Sequence, residues 1–134
     1  MRAAQYDLPA TLAELAGVEP PAGDGISLLP TLLGRPRDQR AHEFLYFEYP
    51  ENGGQVAVRL GRRWKGVKVG MKAQPKAPWQ LYDLAADRGE TTDVAGQHPD
   101  VLRQLDAIAA REHRRAHIRE WEFVDSRLPP GTEP

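Results

Sequence analysis

Two histidines, His113 and His117, stand four residues apart in EHRRAH. On a helix that spacing places two imidazoles on one face, as in HExxH metal sites. The segment lacks the glutamate that follows the first histidine of that pattern, offers no third ligand, and is crowded by Arg111, Arg114 and Arg115. Cations are favoured near a helix C-terminus by the macrodipole, so the stretch reads as the basic end of a helix rather than a metal centre. Nucleophiles are as scarce. The chain has no cysteine, which removes thiol chemistry, disulfides and cysteine-based zinc sites, and its two serines, Ser27 and Ser126, lie outside any GxSxG sequence. Glu48 and Glu51 are neighbours in sequence, but sequence alone does not fix the geometry that acid–base work needs. Asp7 stands just before LPATLAELAG, where an aspartate ordinarily caps a helix rather than reacting.

A set of cations, Arg59, Arg62, Arg63, Lys65, Lys68, Lys72 and Lys76, falls on two successive extended segments and their sequel. Such a cluster either steers an anionic ligand or keeps a solvated sheet edge from pairing. The second role is the commoner one. A nucleic-acid surface fits less well, because the aromatic residues occupy core-like strand positions rather than interleaving with the charges.

The elements that must position these groups centre on residues 44–83. Phe44 to Tyr49 alternates as a strand, Asn52-Gly53 is a hairpin signal because both residues accept positive φ, and Gln55 to Leu60 is the return strand with Val56, Val58 and Leu60 on one face. After Gly61 a third strand is expected from Trp64 to Met71 with Val67, Val69 and Met71 on its buried side. Lys65 shares that parity, so a bulge shifts the phase or Lys65 reaches a partner. KAQPKAP cannot be a central strand, and Trp79 to Leu84 is expected as the fourth. Before the sheet, Asp7 to Gly17 reads as a helix with Leu8, Leu12, Leu15 and Ala16 on one face, and Ser27 caps a short helix closed by Gly34. After it, Pro99 opens the longest helix, reaching about Ala116, whose stripe of Val101, Leu102, Leu105, Ile108 and Ala109 should lie on the sheet. Trp121 and Phe123 are expected as anchors, and the tail from Ser126 as mobile.

These expectations amount to an α+β fold: a four-stranded antiparallel sheet packed by a long C-terminal helix and preceded by a short helical segment. The implied partition is a helical segment over residues 1–34, the sheet and helix over 35–124, and a tail over 125–134. With 134 residues, 40% hydrophobic and 28% charged, the chain has the composition of one soluble globular domain. A net charge of −1 argues against a nucleic-acid coat, and no apolar run approaches a membrane span. The sequence starts almost inside a helix, as a piece of a longer protein would.

The ordered segments YDLPATLAELAGV, DGISLLPTLLGR, FLYFEYPENGGQVAVRLGRRWKGVKV and WQLYDLAADRGETTDVAGQHPDVLRQL resemble the C-terminal region of the sulfatase family, of the arylsulfatase type, from about Tyr6 to Phe123. The resemblance implies the smaller subdomain of an alkaline-phosphatase-like hydrolase that cleaves sulfate esters. In such proteins a formylglycine made in a C/S-x-P-S-R motif and a calcium or magnesium ion do the chemistry. None of these parts can be carried over. There is no cysteine, no serine in that context and a single asparagine, Asn52, so the chain alone should be inactive, with no catalytic residue, metal ligand or cofactor of its own. The resemblance further implies a partner, the N-terminal catalytic domain of the parent sulfatase, on which the first helix would lean. An apolar face left uncovered would favour homo-oligomers. The hairpin tip would approach the rim of the substrate cleft, making Glu51, Asn52 and Gln55 candidate substrate-binding residues. The alternative is a free-standing module that binds an anionic ligand or a protein partner. A phosphate- or phosphonate-ester hydrolase is a third option. Substrate and cellular compartment are not legible.

Overall fold

The computed structural model describes residues 3–124. The chain divides into two compact units, Met1–Leu45 and Tyr46–Pro134.

The first unit is built on α1 (Asp7–Ala16) and the single-turn α2 (Leu29–Leu32). Gly17 ends α1 in the left-handed region at φ 68°, a conformation glycine adopts without steric cost. Asp7 is not the cap that its position suggested. It is the first helical residue, fully buried, and no side chain caps this helix. Its carboxylate instead gathers distant groups: the Ala4 N–H donates to Oδ2 at 2.7 Å, the Ile26 N–H to Oδ1 at 2.8 Å, and His42 Nε2 lies 2.8 Å from Oδ1. One turn on, Thr11 Oγ1 donates to the Asp7 carbonyl and accepts the Leu28 N–H at 2.9 Å. A buried carboxylate is tolerated because these donors replace its water. Gln39 closes the same unit, donating to the Ser27 carbonyl at 2.8 Å and accepting from the Thr31 hydroxyl. Ser27 is not the N-cap of α2, a place that Leu28 holds without a side-chain cap; its Oγ, one residue earlier, accepts the Leu29 N–H at 3.2 Å.

The aliphatic side of α1 is turned outward. Leu8, Leu12 and Leu15 are 53%, 62% and 65% exposed, and Val18, Leu32 and Leu33 are also in solvent.

The second unit contains most of an antiparallel sheet in sequential order, β1 (Phe44–Tyr49), β2 (Gln55–Leu60), β3 (Trp64–Lys68) and β4 (Gln80–Asp83). The α+β reading is thus met, and β1 and β2 have the expected bounds. The phase of β3 is the reverse of expectation. Val58 pairs with Gly66, and Gly66 with Leu81, so the buried row of the sheet crosses β3 at a glycine between two fully buried side chains. A Cβ at Gly66 would stand 2.3 Å from Leu105 Cδ1 and 3.1 Å from Trp79 Cε3. The helix α3 (Pro99–Glu112) therefore sits where β3 has no side chain, with Val101, Leu105 and Ile108 buried. Lys65 and Val67 take the other face, and Val69 is 45% exposed. β3 also ends earlier than expected. Met71, just beyond it, is buried in the following turn.

Helix α3 stops at Glu112 rather than near Ala116, because His113 turns to an extended ψ of 130°. His113 and His117 therefore do not share a helical face. Phe123 is buried as expected, but Trp121 is 52% exposed. The tail lies outside the described residues. No helix among them is long and apolar enough to cross a membrane.

Candidate functional site

The hairpin between β1 and β2 carries the three residues singled out for a cleft rim. Asn52, Gly53 and Gly54 all take positive φ, at 48°, 83° and 77°, and the Gly54 N–H donates to the Glu51 carbonyl at 3.0 Å. Glu51 and Asn52 are exposed and Gln55 is half-buried. The Glu51 carboxylate accepts the Tyr49 hydroxyl at 2.8 Å, a bond that raises the phenol's pKa. The tip is held from behind. The Met71 N–H donates to the Gly54 carbonyl at 3.1 Å and the Lys72 N–H to the Gly53 carbonyl at 2.9 Å. Gly54 itself is buried, and a Cβ there would meet the Phe123 ring at 2.8 Å. Tip, post-β3 turn and C-terminal segment are thereby joined.

The basic cluster is largely spent on internal pairs. Arg63 donates through Nε and Nη2 to Asp83 Oδ2 at 2.9 and 2.7 Å and stacks 4.5 Å above the Trp64 ring. That guanidinium holds the Asp83 carboxyl below the usual carboxylate range. Lys65, on the face opposite the buried row, reaches Glu90 at 2.5 Å. It faces Arg59 across the strands, and opposed like charges need a counter-ion. Lys68 lies 4.7 Å from the Trp79 ring centre and 3.2 Å from Asp106 Oδ1, which also accepts the Trp79 indole N–H at 2.7 Å. Arg59, Arg62, Lys72 and Lys76 have no ion pair among the described residues.

Sequence reasoning missed a half-buried cluster at the end of α3. Glu48 accepts from the Tyr46 hydroxyl and lies 2.8 Å from His113 Nδ1, while His113 Nε2 is 3.5 Å from Glu122 Oε1. Glu122 in turn accepts the Ala116 and Val124 N–H groups, each at 3.1 Å. Burial first, and then the Glu48 bond, push the Tyr46 phenol far above its ordinary pKa. These bonds fasten the post-helical segment. The Glu48–His113 contact spans 65 residues, and only the fold brings that pair together. A second carboxylate hub organises the segment after β4. Asp87 accepts the N–H groups of Thr92 and Thr91 at 2.9 and 2.7 Å and of Gly89 at 3.1 Å. The Thr92 N–H foremost holds its carboxyl below the usual range. Asp93 covers the outer edge of β4, accepting the Leu81 N–H at 2.9 Å.

Among the described residues no group of three histidine, aspartate or glutamate side chains is placed to hold a metal ion. The donor set that a calcium or magnesium ion would need is therefore not offered here.

No protein-family model matches the chain. A choline-sulfatase of Rhizobium meliloti is 35% identical over 124 residues, 87% of this chain and 22% of its own length. Human arylsulfatase A is 35% identical over 77% of this chain and 25% of its own length. The chain belongs to the sulfatase family. Solved structures agree. A Bacteroides thetaiotaomicron protein, from a locus for the metabolism of multiple glycosaminoglycans, superposes with a TM-score of 0.59 at 30% identity, over 78% of this chain and 24% of that one. A phosphonate monoester hydrolase of Agrobacterium radiobacter gives 0.54 at 26% identity, over 78% and 24%. This sulfatase relative therefore sits in the alkaline-phosphatase-like superfamily, its sheet and helices matching the C-terminal subdomain. It spans less than a third of the length of the curated relatives it matches.

Proposed function

We propose that the chain is the C-terminal subdomain of a sulfatase-like sulfuric ester hydrolase, with nucleophile and metal carried by an N-terminal catalytic domain. The observation that carries this reading is the asymmetry of the match, most of this chain against under a quarter of a choline-sulfatase. Chemistry agrees: stabilising a sulfate ester in its transition state needs a preorganised nucleophile and cation together. No C/S-x-P-S-R serine or cysteine occurs in the sequence, and no metal donor set occurs among the described residues. Residues 1–34 then act as a docking segment. Leu8, Leu12 and Leu15, each more than half exposed, would each contribute roughly 1 kcal/mol on being covered. The covering partner is the catalytic domain, and in its absence a second copy of the chain. In the assembled enzyme Glu51, Asn52 and Gln55 face the rim of the substrate cleft, and the chain alone hydrolyses nothing.

The test is an immunoblot of source cells with an antibody against this chain, paired with an aryl-sulfate assay on the immunoprecipitate. We expect a product several times heavier than the 134-residue chain and sulfate release dependent on a divalent cation. A product of the chain's own size that is inactive would refute the subdomain reading and favour the free-standing binding module.

A further inference from the structure

Asparagine is chemically labile, most of all before glycine, which puts no Cβ beside the backbone nitrogen that attacks the side-chain amide. The chain has a single asparagine, Asn52, and it precedes Gly53. The fold leaves both reacting groups open. Asn52 and Gly53 are exposed, and among the described residues neither the Asn52 amide nor the Gly53 N–H makes a hydrogen bond. Gly53 is uncrowded, since even a Cβ there would lie 3.6 Å from the Gly70 Cα, an ordinary contact. The braces on the tip act elsewhere. The Lys72 and Met71 N–H groups hold the carbonyls of Gly53 and Gly54, beyond the reacting nitrogen. Only the bond from the Gly54 N–H to the Glu51 carbonyl spans the pair. Asp24-Gly25 is a second pair of this kind in the sequence, and it differs on both counts. A carboxylate is a poorer electrophile than an amide, and Gly25 is tightly packed, a Cβ there standing 2.2 Å from the Tyr6 carbonyl oxygen.

We propose that Asn52 is a site of spontaneous deamidation, which converts the hairpin tip of the folded chain to an isoaspartyl form. The Gly53 nitrogen, giving its proton to hydroxide, attacks Asn52 Cγ. The N–Cγ bond forms as the Cγ–Nδ2 bond breaks, and Nδ2 takes up a proton and leaves as ammonia. Water then opens the cyclic imide at one carbonyl or the other, giving aspartate, or isoaspartate with the main chain running through Cβ and Cγ. Either product adds a carboxylate beside Glu51. The isoaspartyl form also lengthens the chain between Glu51 and Gly54 by one carbon. That disturbs the bond between those two residues and the seat of Gly54 against the Phe123 ring. The chemistry of the tip is independent of the sulfatase reading.

The experiment incubates the full 134-residue chain at mildly alkaline pH, native and in urea, beside the variants N52Q and N52D. Mass spectrometry of the tryptic peptide 41–59 follows loss of the amide. Methyl transfer from S-adenosylmethionine by a protein isoaspartyl methyltransferase counts isoaspartate. We expect the native chain to convert at Asn52 within roughly tenfold of the rate in urea, because a single turn bond restrains the pair. N52Q should stay unmethylated, since its longer side chain must close a larger ring, and its melting curve shows whether the fold is kept. The isoaspartyl chain should unfold at lower urea than N52D, which carries the same charge on an unaltered backbone. A native chain that keeps its Asn52 amide while the unfolded chain loses it overturns the inference. So does methylation undiminished in N52Q, which would move the site to Asp24-Gly25. An isoaspartyl form as stable as N52D would overturn the coupling of the tip to Phe123.

Discussion

Gly66 is the point at which helix and sheet are fitted, and Gly66→Ala tests that fit. The added Cβ would stand 2.3 Å from Leu105 Cδ1, far inside contact distance, with the Trp79 ring a second wall at 3.1 Å. Leu105 is fully buried and Trp79 is 6% exposed, so neither swings aside into solvent. Relief requires α3 to lift or Leu105 to leave its rotamer. Overpacking of this kind costs about 1–3 kcal/mol, against an offset of about 0.4–1 kcal/mol from a stiffer unfolded chain. A net loss of roughly 1–2 kcal/mol is expected, which moves a urea midpoint down by about 0.5–1 M at an ordinary m-value.

Urea unfolding followed by far-ultraviolet circular dichroism measures this directly. Gly96→Ala is the control, since a Cβ there meets nothing within 4 Å, and it should leave the midpoint in place. The decisive variant is Gly66→Ala combined with Leu105→Ala. Leu105→Ala alone should cost about 2–5 kcal/mol by opening a cavity. In the double variant the new methyl occupies part of that cavity, so the two costs should fall short of additivity by about 1 kcal/mol or more. A Gly66→Ala midpoint equal to wild type, or strictly additive costs, would refute the placement of Leu105 on the β3 glycine.

Two further perturbations probe the remaining joints. Burial pushes the Asp7 carboxyl up, but the N–H bonds from Ile26 and Ala4 and the contact with His42 outweigh it and hold its pKa below the usual value. Its stabilisation should therefore be complete above the ordinary carboxylate range and be lost as pH falls through and below it. Asp7→Asn should flatten that acid limb in thermal melts from pH 7 to 2, and an unflattened limb would remove Asp7 as its source. Gly54→Ala combines a φ of 77° with a Cβ 2.8 Å from the Phe123 ring, and should lower stability by about 1–3 kcal/mol. An unchanged denaturation midpoint would show that Phe123 does not brace the hairpin.

The legible parts of this fold were those whose signal is local. Alternation and Asn52-Gly53 located β1, β2 and their turn because a hairpin closes over a few residues, and Gly17 marked the end of α1 by the left-handed conformation it takes. The phase of β3 was not legible. Its core position is a glycine, which carries no hydrophobic signal, and the space is filled by Leu105, 39 residues later in the sequence. Lys68 added to the confusion, since it shares that row and lays its side chain beside Trp79 while its charge goes to Asp106. Asp7 looked like a cap because a cap and a buried hub share the same local context. Its true partners lie 19 and 35 residues away. Of the rim candidates, the sequence correctly put Asn52 in the turn, while the bracing of that turn by Met71, Lys72 and Phe123 has no sequence signature at all.

Helices α1 and α3 resolve the same pattern in opposite ways, and the contrast bears on what the chain is for. In α3 the periodic aliphatics face inward, with Val101, Leu105 and Ile108 buried. In α1 the polar Asp7 and Thr11 are buried and Leu8, Leu12 and Leu15 stay in solvent. Yet the polar side of the first unit is complete. No buried side-chain nitrogen or oxygen among the described residues lacks a partner. A helix that seats its aspartate and threonine so carefully is not simply misplaced, because reversing it would strip the donors from a buried carboxylate at a cost of several kcal/mol. What the unit leaves unsatisfied is apolar only. On the proposed subdomain reading, the surface that covers it would supply hydrocarbon rather than charge, the character expected of a tightly packed neighbour within one enzyme and not of a transient polar partner.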